Sequence, residues 1–376
     1  MLRRCFVFVI TLYLATHLAS LLSPVGAAGA AIKTSVQRRF LRSLNSSDRR
    51  VPTGVTRIGA APGANPDGTE TAHNSTSPRP AAVAILDTGI ANIPELNVVG
   101  GYDCSGAGDV SDANGHGTHV AGTIGARRTP GRVNEVIGVS PGTPLYAVRV
   151  FNASGEGDIS NVVCGLKWVE EHAAADNIKV VNMSLGDTGS DDGHCGETNN
   201  DAFHAALCRV VAQGVTVVAA AGNESESLAK SVPAAYDEVL SVTAMADFDG
   251  ESGGKGAAHC SNHNKDDTAA DFSDYAVPDS ADAKHTIAAP GVCITSTWND
   301  GTVETLSGSS MASPHVAGLV ARCIDAGPCA ALSPAQIMAK LLADADARPA
   351  DTGFAGDTRH PINGKYYGNL AWARGY

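Results

Sequence analysis

Apolar residues in this chain fall into short, nearly unbroken runs set between stretches of helical spacing. Residues 81–86, 145–150, 179–183, 215–221, 239–244 and 286–289 are such runs, while 160–174 and 202–212 carry apolar positions three and four apart. Strands apolar on both faces and separated by helix-length segments indicate a parallel sheet covered on both sides. The pattern therefore predicts an α/β fold of three layers, a mostly parallel β-sheet with helices on both faces. In open sheets of this kind, sites form beyond the carboxyl ends of the strands, and Asp87, Ser184 and Asn223 stand at or just after such ends. Residues 52–80 read as an extended Pro/Gly-rich arm, 250–285 as a polar insertion and 346–376 as a Gly/Tyr-rich tail.

Two further segments have a different character. Gly115-His116-Gly117-Thr118-His119-Val120-Ala121-Gly122 predicts a helix of small residues pressed against its neighbours. Gly308-Ser309-Ser310-Met311-Ala312-Ser313-Pro314-His315-Val316-Ala317-Gly318 reads as a tight turn feeding a buried helix, with Pro314 in the opening turn, where a missing N–H costs little. A serine there lies beside unpaired backbone N–H groups and the positive end of the helix dipole.

At the N-terminus, Arg3 and Arg4, an apolar stretch and the small residues 27–31 predict a signal peptide over 1–30 and a secreted protein. A short basic pro-segment over 31–50, ending at Arg49-Arg50, would precede one large domain over 51–376. Of the nine cysteines only Cys5 lies in the leader. The remaining eight suit up to four disulfides in an oxidising compartment, Cys195–Cys208 and Cys323–Cys329 being the shortest pairings. The first 50 residues hold eight of the 27 Lys/Arg and one of the 39 Asp/Glu. The body is thus strongly acidic, which argues against nucleic acid or an anionic membrane as partner. A monomeric state is the expectation. Asn45, Asn74 and Asn152 begin accessible glycosylation sequons; those at Asn182 and Asn223 fall within the predicted site.

Asp87 at a strand end, His116 opening one helix and Ser310 opening another are the parts that acyl transfer requires. A hydroxyl becomes a nucleophile when neutral imidazole takes its proton, and the imidazolium needs a buried carboxylate. Asn223 can supply an amide to the developing oxyanion. Each residue also has an ordinary use: Asp87 in a turn, Ser310 as a helix cap, His119 and His315 as packed structural groups. His116 and His119 share a helix face, but no acidic third ligand accompanies them. Asp-Thr-Gly recurs at 87–89, 187–189 and 351–353, as an aspartic protease would require in pairs, yet only the first copy ends an apolar strand. The other alternative is a catalytically silent binding protein on the same scaffold.

Taken together, Ile85–Gly89, His116–Gly122, Ala220-Ala221-Gly222-Asn223 and Gly308–Gly318 resemble the four signature blocks of the subtilisin-like serine proteases, in that family's order. The resemblance implies a serine endopeptidase acting on polypeptide substrates, with catalytic Asp87, His116, Ser310 and Asn223. It implies that Gly155, Glu156 and Gly157, with Ser184, Leu185 and Gly186, clasp extended substrate as an added strand, and that Ala220, Ala221 and Gly222 wall the pocket. The chemistry needs no cofactor. Ile93-Pro94-Glu95-Leu96 resembles a segment that serves a structural calcium, although the loop at 127–136 does not match. Ser309 stands where the family commonly has threonine. Activity requires neutral His116 and fades as acid protonates it.

Overall fold

The computed structural model describes residues 4–6, 51–61, 79–129, 136–260, 263–373 and 376. The predicted signal peptide and pro-segment lie outside these residues except for Arg4–Phe6.

In chain order the elements are β1 (Arg4–Phe6), α1 (Thr53–Arg57), β2 (Ala82–Asp87), β3 (Val98–Asp103), α2 (His116–Gly125), β4 (Leu145–Arg149), β5 (Glu156–Asp158), α3 (Ile159–His172), β6 (Ile178–Met183) and β7 (Asp187–Thr188). They continue with α4 (Ala202–Ala212), β8 (Thr216–Ala220), β9 (Ser231–Val232), β10 (Val239–Ala246), β11 (Thr268–Ala269), β12 (Thr286–Val292), β13 (Ile294–Thr297), β14 (Val303–Leu306), α5 (Ser309–Asp325) and α6 (Pro334–Asp346). Seven strands form a parallel sheet in the order β3-β4-β2-β6-β8-β10-β12, and β11 lies antiparallel against the end of β10. The sheet fills outward in both directions from β2: β4 lies on one side of it and β6 on the other. A crevice opens at the carboxyl ends of strands where such an order turns, and Asp87 is the last residue of β2.

The pleat explains the unbroken apolar runs. In β2, Val83 and Ile85 join a core with Met311, Val316 and Val320 of α5. Ala82, Ala84 and Leu86 face the opposite core, with Val162 and Leu166 of α3 and Phe203 and Leu207 of α4. Both faces of one strand are thus buried, as period-two alternation between two apolar layers requires. Capping sets the helix boundaries. Asp201 accepts from the N–H groups of Phe203 and His204, while Ser333 and Gln336 form a capping box ahead of Pro334; each such cap is worth about 1 kcal/mol.

Three sequence expectations change. The arm expected at 52–80 begins with α1, and Arg57 is buried against Asp267 at 2.6 Å and Asp247 at 3.4 Å, so Thr53–Arg57 dock as a packed helix, while 62–78 lie outside the described residues. The polar insertion contributes β11 to the sheet and, as described below, supports the site. Pro314 is not in the first turn, because α5 begins at Ser309. Four disulfides are formed: the two short pairs, Cys195–Cys208 and Cys323–Cys329, with Cys104–Cys164 and Cys260–Cys293. Among the described residues no helix is long and apolar enough to cross a membrane.

Candidate active site

Asp87 and His116 meet at the switch point of the sheet. The Nδ1 of His116 lies 2.8 Å from Oδ1 and 2.9 Å from Oδ2 of Asp87, and both residues are buried. A carboxylate can only accept, so Nδ1 carries the proton and the lone pair of the neutral ring sits on Nε2. That Nε2 is buried and has no hydrogen bond. The approach depends on a glycine: a Cβ at Gly117 would come within 2.1 Å of the Gly89 carbonyl and 3.2 Å of Asp87. Position 115, the N-cap of α2, is also glycine and offers no side chain. Asp112 takes over the capping. It accepts from the N–H groups of Gly115 (2.8 Å) and Thr118 (2.9 Å) and from the Thr88 hydroxyl (2.9 Å), which itself accepts from Gly117 N–H. One buried carboxylate thereby fastens the strand end that holds Asp87 to the helix start that holds His116.

Ser310 is the second residue of α5 and fully buried. Because Pro314 has no N–H, the Ser310 carbonyl loses its intrahelical donor. The Ser184 hydroxyl replaces it at 2.8 Å, and Asn182 supports both ends of this arrangement, donating to Ser184 Oγ and accepting from Ser313 Oγ. The proline thus couples the Ser310 backbone to the end of β6. The Ser310 hydroxyl itself donates to the Ser184 carbonyl at 3.3 Å and makes no hydrogen bond to His116 Nε2.

Asn223 follows β8. Its Oδ1 accepts from Ser309 N–H at 2.8 Å and from the Ser309 hydroxyl at 3.0 Å. A backbone N–H can only donate, so this contact fixes which end of the amide is oxygen and leaves Nδ2 as the donor end. Ser309, standing where threonine is common, keeps the hydroxyl that this bridge uses and also accepts from Gly222 N–H. Beneath the loop lies Asp274, which accepts from Glu224 N–H (3.0 Å) and Glu226 N–H (2.8 Å). Gly222, at φ +121°, has room for no side chain, since a Cβ would sit 2.1 Å from the Asp274 carboxylate. Burial pushes Asp274 up to about 7, with Glu224 and Glu226 adding to the rise. Sequence reading missed Asp274, Asp112 and Asn182 as supports.

The expected clasp segments flank this centre. Glu156 and Gly157 lie in β5, with Gly155 just before it; Ser184, Leu185 and Gly186 connect β6 to β7; Ala220 ends β8, with Ala221 and Gly222 after it. The edge of β5 accepts extended chain: β1 pairs with it antiparallel, Cys5 opposite Gly157, and also lies against β7.

Two neighbouring histidines, His119 and His315, are structural. His119 Nε2 donates to the Ile294 carbonyl and His315 Nδ1 to the Met311 carbonyl. Burial pushes His119 down to about 3, with His116 adding to the fall, and His315 down to about 4. For the calcium resemblance, Glu95 is buried but belongs to none of the carboxylate groupings found among the described residues, and 130–135 lie outside them. Asp247, Asp249 and Asp266 do converge elsewhere. There a cation is already present, since Arg57 lies 3.4 Å from Asp247.

An imidazole held by a buried carboxylate, a serine opening a buried helix and an oriented amide, gathered at the switch point of a parallel sheet, make up the equipment of a serine-type peptidase. The partner of Asp87 is an imidazole rather than a second carboxylate, which removes the aspartic-protease alternative. Comparison with known proteins agrees. The profile of the Subtilase family matches residues 79–361. Subtilisin DY of Bacillus licheniformis is 39% identical over 265 residues, 69% of this chain and 81% of that protein. Proteinase T of Parengyodontium album is 32% identical over 76% of this chain and 84% of its own length. The crystal structure of a cold adapted subtilisin-like serine proteinase superposes with a TM-score of 0.62 at 28% identity, covering 87% of this chain and 99% of that one. The chain belongs to the subtilase family and is a serine-type endopeptidase.

Proposed function

We propose that residues 51–376, freed of the leader, act as a secreted, monomeric endopeptidase in which Asp87, His116 and Ser310 form the triad. The Ser310 hydroxyl turns from the Ser184 carbonyl to His116 Nε2, gives up its proton and attacks the scissile carbonyl. Asp87 holds the imidazolium, and Asn223 Nδ2 with the Ser310 N–H receives the oxyanion. His116 then returns the proton to the leaving amine, and water, activated by the same base, releases the acyl-enzyme. The reaction uses no metal or cofactor. Extended substrate pairs with Gly155–Gly157 and Ser184–Gly186, the place β1 takes beside β5, and its side chain enters beside Ala220–Gly222.

The observation that carries this reading is the two-oxygen contact of Asp87 with His116 Nδ1, which leaves Nε2 without a hydrogen bond. Casein hydrolysis by the mature chain tests it. Ser310→Ala is expected to lower kcat by about 10⁶, a magnitude established for subtilisin itself. Activity equal to the unaltered chain would remove Ser310 from the mechanism and restore the silent-scaffold alternative.

A further inference from the structure

A second imidazole, remote from the proposed triad in sequence, is held in a way that asks for a cation. His204 lies in the first turn of α4, fully buried. Its ring is fixed by stacking on Tyr236 at 3.9 Å between centroids and 3° between planes. Its Nε2 lies 2.9 Å from Glu238 Oε2. Since the carboxylate only accepts, Nε2 carries the proton and the lone pair of the neutral ring is on Nδ1. That Nδ1 is buried and makes no hydrogen bond, although Asp192 Oδ1 stands 3.3 Å away and Asp191 Oδ1 3.5 Å away. A lone pair facing two carboxylate oxygens is repulsive unless something positive lies between them.

We propose that Asp191, Asp192 and His204 bind a divalent transition-metal ion of the zinc type. The three ligand atoms lie within 4.8 Å of one another. Tetrahedral zinc with bonds of about 2.0–2.2 Å separates its ligands by roughly 3.3–3.6 Å, and the two distances from Nδ1 fall in that range. Glu238 completes the familiar outer arrangement, in which a carboxylate takes the far N–H of a metal-binding histidine and fixes its tautomer. Backbone donors hold the carboxylates in place: Gly193 N–H to Asp191 Oδ1, and Gly196 N–H to Asp192 Oδ1. The Asp191 side chain is 17% exposed, so solvent reaches one side of the cluster and can supply the fourth ligand. Imidazole nitrogen and few oxygens suit zinc; calcium prefers six to eight oxygens. The ion would pin the loop that follows β7 to α4 and to residues 237–238, beside the Cys195–Cys208 disulfide.

The test uses the intact mature chain at pH 7.5 without reductant, so that the disulfide cysteines offer no thiolate. Calorimetric titration with zinc chloride, with calcium chloride as comparison, is run on the unaltered chain, His204→Gln and Asp191→Asn. The proposal expects about one zinc per chain, a rise in melting temperature on loading, and at least tenfold tighter binding of zinc than of calcium. Affinity should fall at least tenfold in both variants. Asp191→Asn leaves the His204–Glu238 contact intact and keeps the test decisive if His204→Gln folds poorly. No zinc uptake, leaving a proton as the cation at His204, would overturn the proposal. So would uptake unchanged in Asp191→Asn, or a preference for calcium.

Discussion

Two buried imidazoles among the described residues are held by hydrogen bonds to carboxylates, in opposite senses. His116 gives Nδ1 to Asp87 and leaves Nε2 without a hydrogen bond in the crevice at the end of β2. His204 gives Nε2 to Glu238 and leaves Nδ1 facing two carboxylates beneath a loop. The same pair of residue types therefore prepares two kinds of chemistry. What lies at the far nitrogen decides between them: a cleft lined by a serine helix suits proton transfer, whereas a carboxylate pair suits a cation. A histidine–carboxylate contact alone is not a signature of catalysis.

Removing the charge of each holding carboxylate separates the two most strongly. Asp87→Asn should lower kcat by about 10⁴, because the amide favours the wrong tautomer of His116. Glu238→Gln should leave kcat within about twofold. Steady-state hydrolysis of a peptide substrate measures both, and a similar loss in the two variants would break the distinction.

A smaller effect is expected at Asp274, which accepts from two N–H groups of the loop that follows Asn223. Asp274→Ala deprives Glu224 and Glu226 N–H of their acceptor, and losses of this kind run to about 1–3 kcal/mol. A fall of about 10- to 100-fold in kcat with little change in KM is expected, and Asp274→Asn should recover part of it. A change confined to melting temperature would make Asp274 merely structural.

A separate effect lies in acid stability, where two other buried histidines differ from both carboxylate-held ones. His119 and His315 are pushed down to about 3 and about 4, while an unfolded histidine titrates near 6.5. Because their folded values are depressed, their contribution is complete above about pH 6.5. It is lost as pH falls through the folded values, on the order of 3 to 5 kcal/mol for each. Asp247, pushed up to about 7 chiefly by burial, works the other way: its contribution is complete below about pH 4 and lost as pH rises through 7. Melting temperatures between pH 4 and 8 should show His315→Gln with a shallower acid slope than the unaltered chain, and Asp247→Asn with a shallower alkaline one.

Much of this was legible in the sequence, for physical reasons. Strands buried on both faces must be apolar throughout, so the sheet could be read directly. The chemistry had to sit at strand ends and helix starts, which placed Asp87, His116, Ser310 and Asn223. What escaped was long-range support. Asp274 meets Glu224 and Asn182 meets Ser313 only through the completed fold, and no periodicity marks either. Pro314 was misplaced because α5 starts further upstream; its real effect, freeing the Ser310 carbonyl for Ser184, needs both partners in view. The five-residue α1 is too short to show a period, and its place is set by the Arg57 ion pairs. His204 carried one local hint, lying three residues after its cap Asp201 and four before Cys208.

The central claim is that His116 activates Ser310. Intact-mass and peptide spectrometry after treatment with a serine-directed fluorophosphonate tests it most directly. The account predicts a single adduct on Ser310, formed rapidly by the unaltered chain and slowed by several orders of magnitude in His116→Ala. An adduct on another serine, or labelling of Ser310 at the same rate without the imidazole, would contradict it.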